Sequence, residues 1–420
     1  MGTASADERL DGAPVGPGFM GGLALAQVGA FISFMPLLQI LLPLKAEAID
    51  PAHKAITLAH IMFWGAIAAG AANLFAGAIS DRTTSRFGRR RPWLLAGAAG
   101  TMLAYLFIHL ATNAASLTAA VIFFQVVFNF LFAALLALAV DRVPHRQRGV
   151  MSALLALGYP LGNIAGAALV GGLINNEPLR FAALAIVVLV MIVPFSLAIR
   201  DKPITAAQRP DTLPNVFSGR FWIDPRKHPD FALAWSGRFL VQVGITLVQG
   251  YMLYYLVDVV HYARLFPGAR PEQGLAILTG ISSVSFVSVS LFGGFLSDRL
   301  RLRKPFVIGG AGILATATAS FALAPNWPAM VIAYVFHGFG AGLYYAVDVA
   351  LLTQVLPSAR DIGKDLGIVN LSNTVPQILA PVVAAWLLGA VHADFRVLFL
   401  LASAASAMGA LIVLAIRGVR

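Results

Sequence analysis

Long apolar runs alternate with short polar punctuation along the whole chain. An apolar helix of about 20 residues crosses the hydrocarbon of a bilayer. Breaks at charge, proline and glycine clusters predict twelve such spans, near 20–44, 53–80, 92–112, 115–141, 149–174, 179–199, 231–258, 272–297, 305–324, 328–355, 364–389 and 394–416. Several exceed the minimum, which implies tilt or extension beyond the lipid. The pattern predicts an all-α membrane protein. Composition points the same way: 59% of the 420 residues are hydrophobic, 12% are charged, and the mean hydropathy is +0.80. That is more apolar surface than a soluble core of this size needs.

Charge adds an orientation. The formal net charge is +11, but Lys and Arg lie in short groups between apolar runs rather than on one soluble face, so no nucleic-acid partner is expected. Of the 30 Lys and Arg, 23 fall in the 2–3, 4–5, 8–9 and 10–11 loops, the central linker and the termini; six fall in the opposite loops, and Arg238 lies inside a span. The positive-inside bias places the basic loops and both termini in the cytoplasm of a multi-pass protein of the cell (inner) membrane. Residues 1–18 carry three acids against one arginine, unlike a secretory leader, and read as a disordered cytoplasmic tail. The chain has no cysteine, which excludes disulfides, thiolate metal sites and cysteine nucleophiles.

A repeat organises the spans. The stretch GAISDRTTSRFGRRRPWLL at 77–95 returns in fainter form as GGFLSDRLRLRKPFVIGG at 293–310. Gly77, Ser80 and Asp81 pair with Gly294, Ser297 and Asp298 at an offset of 217 residues, and Pro160 with Pro376 at 216. Two six-helix bundles of the same handedness follow, 19–200 and 231–420, joined by a cytoplasmic linker at 201–230. Parallel repeats of this kind build one large class of carriers, with a central cavity between halves that rock against each other.

The Gly-x-x-x-Asp-Arg run followed by Gly-Arg-Arg-Arg after span 2, with its weaker copy after span 8, resembles the cytoplasmic signature of the major facilitator superfamily. The longer form SDRTTSRFGRRRPW, together with DRVPHRQRG and GYPLGNIAG, is similar to the glycoside-pentoside-hexuronide symporters and the related sucrose carriers. The resemblance implies the twelve-helix major facilitator fold and a gate built from Gly77, Asp81, Arg82, Arg89, Asp298 and Arg299. In that gate the aspartates hold the ends of spans 2 and 8 against the opposite half through arginines and helix N-termini. Gly77 and Gly294, one turn earlier on the same face, imply close backbone approach. The second copy has no glycine between Asp298 and Pro305, so its turn is expected to differ.

The resemblance also implies that spans 1, 4, 7 and 10 surround the solute. They carry Gln27, then Gln125 and Asn129, then Gln242, Gln249 and Tyr254, then His337 and Tyr344; span 11 adds Asn370 and Asn373. Amides and phenols both donate and accept hydrogen bonds, and aromatic faces stack on a sugar ring, which suits a neutral sugar or glycoside. The same amides also suit bonding between membrane helices. Arg238 and Asp348 sit at similar depth, about 10 Å from the cytoplasmic ends of spans 7 and 10, and are expected to form a salt bridge, either as a structural or gating pair or as a site for solute or proton. His60 and His337 read as proton carriers or as packing histidines. Span 2 has no carboxylate before Asp81, and Gln125 stands where the resembling sucrose carriers place an aspartate. A coupling proton would therefore need Asp348 or a histidine; otherwise transport runs downhill.

Intramembrane hydrolysis would need a His-Glu-x-x-His helix, a Gly-x-Ser-x-Gly turn or paired membrane aspartates, and the chain has none. No enzyme activity and no cofactor are expected. The leading expectation is a monomeric carrier of a sugar or glycoside working by alternating access, with a coupling proton left open. The alternatives are a proton-driven exporter of amphipathic drugs or lipids, suggested by the many Phe, Leu and Ala in the spans, and a receptor or assembly factor on the same scaffold. Side-specific accessibility labelling is expected to place residues 90 and 302 on the same face of the membrane; opposite faces would end the parallel-repeat reading.

Overall fold

A computed structural model describes residues 14–199, 201, 223–300, 302–355 and 362–417. Twelve helices in it are long and apolar enough to cross a membrane. They are α1 (Pro17–Ile49), α2 (Lys54–Asp81), α3 (Arg91–Leu110), α4 (Ala114–Arg142), α5 (Arg146–Leu173) and α6 (Glu177–Ala198). After the linker come α7 (Pro229–Asp258), α8 (Pro271–Leu300), α9 (Lys304–Leu323), α10 (Trp327–Gln354), α11 (Ile368–Ala390) and α12 (Phe395–Leu414). The expected all-α fold class is the one found. Most of the 201–230 linker and the first part of the 1–18 tail lie outside the described residues.

The chain divides into two compact units. One comprises Met1–Met35, Ala68–Val170 and Ile174–Pro214; the other comprises Pro36–Ile67, Gly171–Leu173 and Asn215–Arg420. Helix α1 changes unit at Met35/Pro36, where Pro36 is followed by a π-helical turn, Leu37–Leu41. Proline has no N–H to give and crowds the carbonyl one turn back, so a wider turn there restores the ladder. Helix α5 changes unit within its own π-turn, Ala168–Leu173.

The repeat extends to the helix ends. Asn113 caps α4 by accepting from Ser116 N at 2.9 Å, and Asn326, 213 residues on, caps α10 by accepting from Ala329 N at 3.0 Å. Asn176 caps α6 through Leu179 N, and Asp394 caps α12 through Arg396 N, both at 3.3 Å. Each such cap satisfies one donor that the first helical turn leaves open. Pro160 and Pro376 are each followed by a π-turn, at Ala168–Leu173 and Trp386–Ala390.

Within the second unit, close helix contacts rest on glycine. A Cβ on Gly338 of α10 would overlap the Ser282 backbone of α8, and where α9 crosses α10, Cβ atoms on Gly310 and Gly340 would fall 2.7 Å from Tyr344 N and Leu314 N. With lipid as apolar as leucine, such backbone approach is what holds membrane helices together. Within their own units neither Gly77 nor Gly294 marks a close crossing: a Cβ on Gly77 meets nothing within 4 Å, and one on Gly294 meets only Ala346 Cβ at 4.0 Å. The crossing points lie elsewhere because helix rotation, which spacing alone leaves free, selects which small residue faces a neighbour. Gly338→Ala is expected to destabilise the protein by about 1–3 kcal/mol, since a backbone neighbour cannot retreat, and Gly77→Ala to leave thermal melting in detergent unchanged.

Candidate functional site

At the basic end of the first unit, the α2–α3 loop folds around one arginine. The Arg90 side chain is 5% exposed and reaches three acceptors: Nη1 donates to Ser80 Oγ at 2.8 Å, Nε to Asp141 Oδ2 at 2.9 Å, and Nη2 to Asp81 Oδ1. Arg89 binds the other oxygen of Asp141 at 2.7 Å and lies 3.8 Å from Asp81. The cluster ties the ends of α2 and α4 to the start of α3. Asp81 thus meets the arginines of its own loop. The acid at a helix N-terminus is Asp201, which accepts from Arg90 N at 2.6 Å and Arg91 N at 3.0 Å. Gly88 is the one glycine of this loop, with φ +96°, and a Cβ there would strike the Asp201 carboxyl group; only glycine fits both demands.

The second copy keeps one element of this arrangement. Arg303 Nη1 donates to Ser297 Oγ at 3.1 Å, as Arg90 does to Ser80. Four residues fewer separate aspartate from proline, and Ser297 Oγ instead donates to Leu302 O at 2.7 Å. Lys304 binds the carbonyls of Leu414 and Ile416 at the end of α12, at 2.6 and 2.7 Å. The turn therefore differs, as expected from the missing glycine. Arg299 is exposed, and the Asp298 side chain lies outside the described residues.

Arg238 of α7 and Asp348 of α10 form the expected ion pair, Nη1 on Oδ2, with side chains 7% and 3% exposed. From α11, Asn373 Oδ1 accepts from Nε at 3.2 Å and Nη2 at 3.0 Å. One turn further along α7, Gln242 Oε1 accepts from the Tyr345 hydroxyl of α10. Trp235 Nε1 donates to Ile368 O at 2.8 Å. Three helices thus meet in a largely buried polar cluster in which, among the described residues, one guanidinium is matched by one carboxylate.

Asn129 Nδ2 donates to Gln125 O at 2.7 Å, so this pair engages its own helix. Gln27 is buried against Gly158, and its Oε1 has no hydrogen-bond partner among the described residues. His337 is buried beside the rings of Tyr334 and Phe321, at 5.7 and 6.0 Å, and neither ring nitrogen has such a partner. Tyr344 is buried, Gln249 is half-buried, and Asn370 and His60 are exposed; Arg82 and Gly77 are half-buried at the end of α2. Among the described residues no group of three or more His, Asp or Glu side chains is placed to hold a metal ion.

A cluster missed by sequence reasoning sits at the other end of α7. Lys54, opening α2, is shared between Glu47 of α1 at 2.8 Å and Asp258 of α7 at 2.9 Å, and lies 5.0 Å over the Tyr254 ring. The Tyr254 hydroxyl donates to Pro43 O at 2.8 Å, so this phenol, expected to bind solute, is committed to backbone packing. In the intervening turn, Asp50 accepts from His53 N and Thr57 Oγ1, both at 3.1 Å. Against a desolvation that would raise it, these bonds and the nearby His53 hold its carboxyl below the usual carboxylate range. The signal available in sequence was only a pair of acids and a lysine flanking a loop, which also describes a solvated turn.

Removing one partner of a buried ion pair leaves an uncompensated charge, a loss of about 3–5 kcal/mol. Arg238→Asp and Asp348→Arg are each expected to depress folded yield and melting temperature, and the exchanged double variant to recover both in part. A double variant no better than the singles would count against a pairing role.

The sequence pattern of the Major Facilitator Superfamily matches residues 18–270 and 239–420. Among curated relatives, the fatty acid resistance protein FarB of Neisseria gonorrhoeae is 30% identical over 125 residues, which is 30% of this chain and 24% of that protein. The multidrug resistance protein MdtL of Shewanella oneidensis is 33% identical over 112 residues, 27% of this chain and 28% of that protein. The chain thus spans about a quarter of the length of each. Two solved structures share the fold along nearly their whole lengths. The nucleoside transporter NupG has a TM-score of 0.73 at 12% identity, covering 95% of this chain and 99% of that one, and the peptide transporter POT 0.75 at 13%, covering 98% of each. With a family pattern covering almost all of its residues, and a fold shared with solved transporters, this chain belongs to the Major Facilitator Superfamily.

Proposed function

We propose that the protein is a secondary transporter that carries a small polar organic solute, a sugar or glycoside, across the cell (inner) membrane by alternating access, working as a monomer. The observation that carries this reading is the balanced polar cluster of Arg238, Asp348, Asn373, Gln242 and Tyr345. A site with equal and opposite charges gives a free ion no net attraction, while its amides and phenol can exchange hydrogen bonds with hydroxyls. In the first unit, Phe31 lies edge-on to Phe132 and Tyr159 at 5.5 and 5.7 Å, beside Gln27 and its open acceptor. Half-buried aromatic faces beside an amide suit the apolar side of a sugar ring.

The basic-end cluster supports the mechanical half of the reading. Ser80, Asp81 and Asp141 all bind Arg90, so the ends of α2, α3 and α4 move as one block when the protein changes state. If a proton is coupled, Gln125 cannot carry it, and His337, buried with both nitrogens open among the described residues, is the group best placed to do so. A second reading, a proton-driven exporter of amphipathic compounds, is favoured by the partial likeness to resistance proteins, 30% and 33% identical over the aligned stretches.

In proteoliposomes the protein is expected to take up labelled sucrose or methyl glycosides. The transported sugar should raise the melting temperature, by the equivalent of about 2.7 kcal/mol at a hundred times its dissociation constant. Efflux of a cationic or fatty-acid dye, with no sugar uptake, would replace this reading with the exporter.

A further inference from the structure

We propose that Asp348 and Asn373 divide the seating of the Arg238 guanidinium, Asp348 supplying the counter-charge and Asn373 the orientation, which makes Asn373 a positioning residue and leaves two guanidinium N–H groups for an oxygen of the solute. This rests on the sugar-carrier reading and assigns roles within that same site.

A guanidinium has five N–H donors in a rigid plane. Asn373 Oδ1 takes one from Nε and one from Nη2, at 3.2 and 3.0 Å, and Asp348 Oδ2 sits on Nη1. One N–H on each Nη is left over, and both lie in the plane of the guanidinium, where each can donate to an oxygen. Asn373 was expected to touch solute itself, but its Oδ1 is committed to Arg238 along the Nε/Nη2 edge, and this two-point contact sets the plane in which the remaining donors lie.

Asp348 is the carboxylate in contact with Arg238 among the described residues, and both side chains are more than nine-tenths buried. A lone counter-ion of this kind is a poor proton shuttle, because each protonation would leave a buried cation uncompensated. What Arg238 requires is one carboxylate within reach, and the chemistry is indifferent to which helix carries it. Asn373 already occupies a second place within bonding distance. Exchanging the two side chains moves the negative charge from α10 to α11 without altering net charge or the number of heavy atoms.

The test compares wild type, Asp348→Asn, the double variant Asp348→Asn/Asn373→Asp, and Asn373→Ala, each as the full chain. Melting temperature in detergent and uptake of labelled sucrose into proteoliposomes, with and without a pH gradient, are measured for all four. Asp348→Asn is expected to melt about 5 °C lower and to lose uptake roughly tenfold or more. The double variant is expected to recover the melting temperature, to regain uptake to within about threefold of wild type, and to keep the wild-type response to the pH gradient. Asn373→Ala keeps the charge pair but loses the orientation, so KM should rise about tenfold with kcat little changed.

A double variant that melts like Asp348→Asn overturns the shared seating. One that regains its melting temperature but not its uptake, or that loses the pH response, makes Asp348 a direct solute or proton group and also overturns it. If wild type itself takes up no sucrose, the sugar reading fails, while the melting temperatures still decide whether the carboxylate can be relocated.

Discussion

Water is absent from the hydrocarbon of a membrane, so every backbone donor and acceptor there must be bonded within the protein. That constraint makes all twelve spans helical and governs their polar side chains. Hydroxyls on Ser33, Thr118, Thr246, Ser288 and Thr318 turn back onto carbonyls three or four residues earlier. Where prolines interrupt the ladder in α1, α5, α6 and α11, π-turns lie within the same helices. The same absence of water leaves Arg238 no comfortable position except against Asp348 and Asn373.

The two halves of the repeat preserve one scaffold and vary its chemistry. Helix caps recur at Asn113 and Asn326, and a serine at the end of α2 or α8 meets an arginine at the start of the next helix in both copies. In the first half, the acid Asp201 after α6 binds the N-terminus of α3; in the second, the base Lys304 at the start of α9 binds the C-terminal carbonyls of α12. The corresponding helix pairs are fastened by opposite charges, each placed where the helix dipole favours it. A duplicated fold can accept that exchange because a helix end needs only a partner of suitable sign.

Much of the candidate site was legible because charge in a membrane span is costly. Arg238 lies about two turns inside its span, deeper than the Lys and Arg at the helix ends, and a carboxylate at equal depth on a neighbouring helix was its natural partner. Arg90 was harder to single out. Five arginines crowd the loop, and nothing in their order distinguishes the one that folds under Asp81, Ser80 and Asp141 from those that remain more open to solvent. Asp201 and the Lys54 cluster were not legible, because their partners lie 111 and 204 residues away.

By itself the sequence determined the number of spans, their approximate limits, the internal repeat and the presence of a buried charge pair. These depend on the transfer energy of short segments, on spacing, and on the high cost of an isolated ion, all of which are local properties. Tertiary structure alone decided which glycines carry the helix crossings, which amides are free and which are committed, and that Tyr254 packs against Pro43. Those outcomes depend on how each helix is rotated and on which side chains meet across space, and a period of 3.6 residues constrains neither until the neighbouring helices are in place.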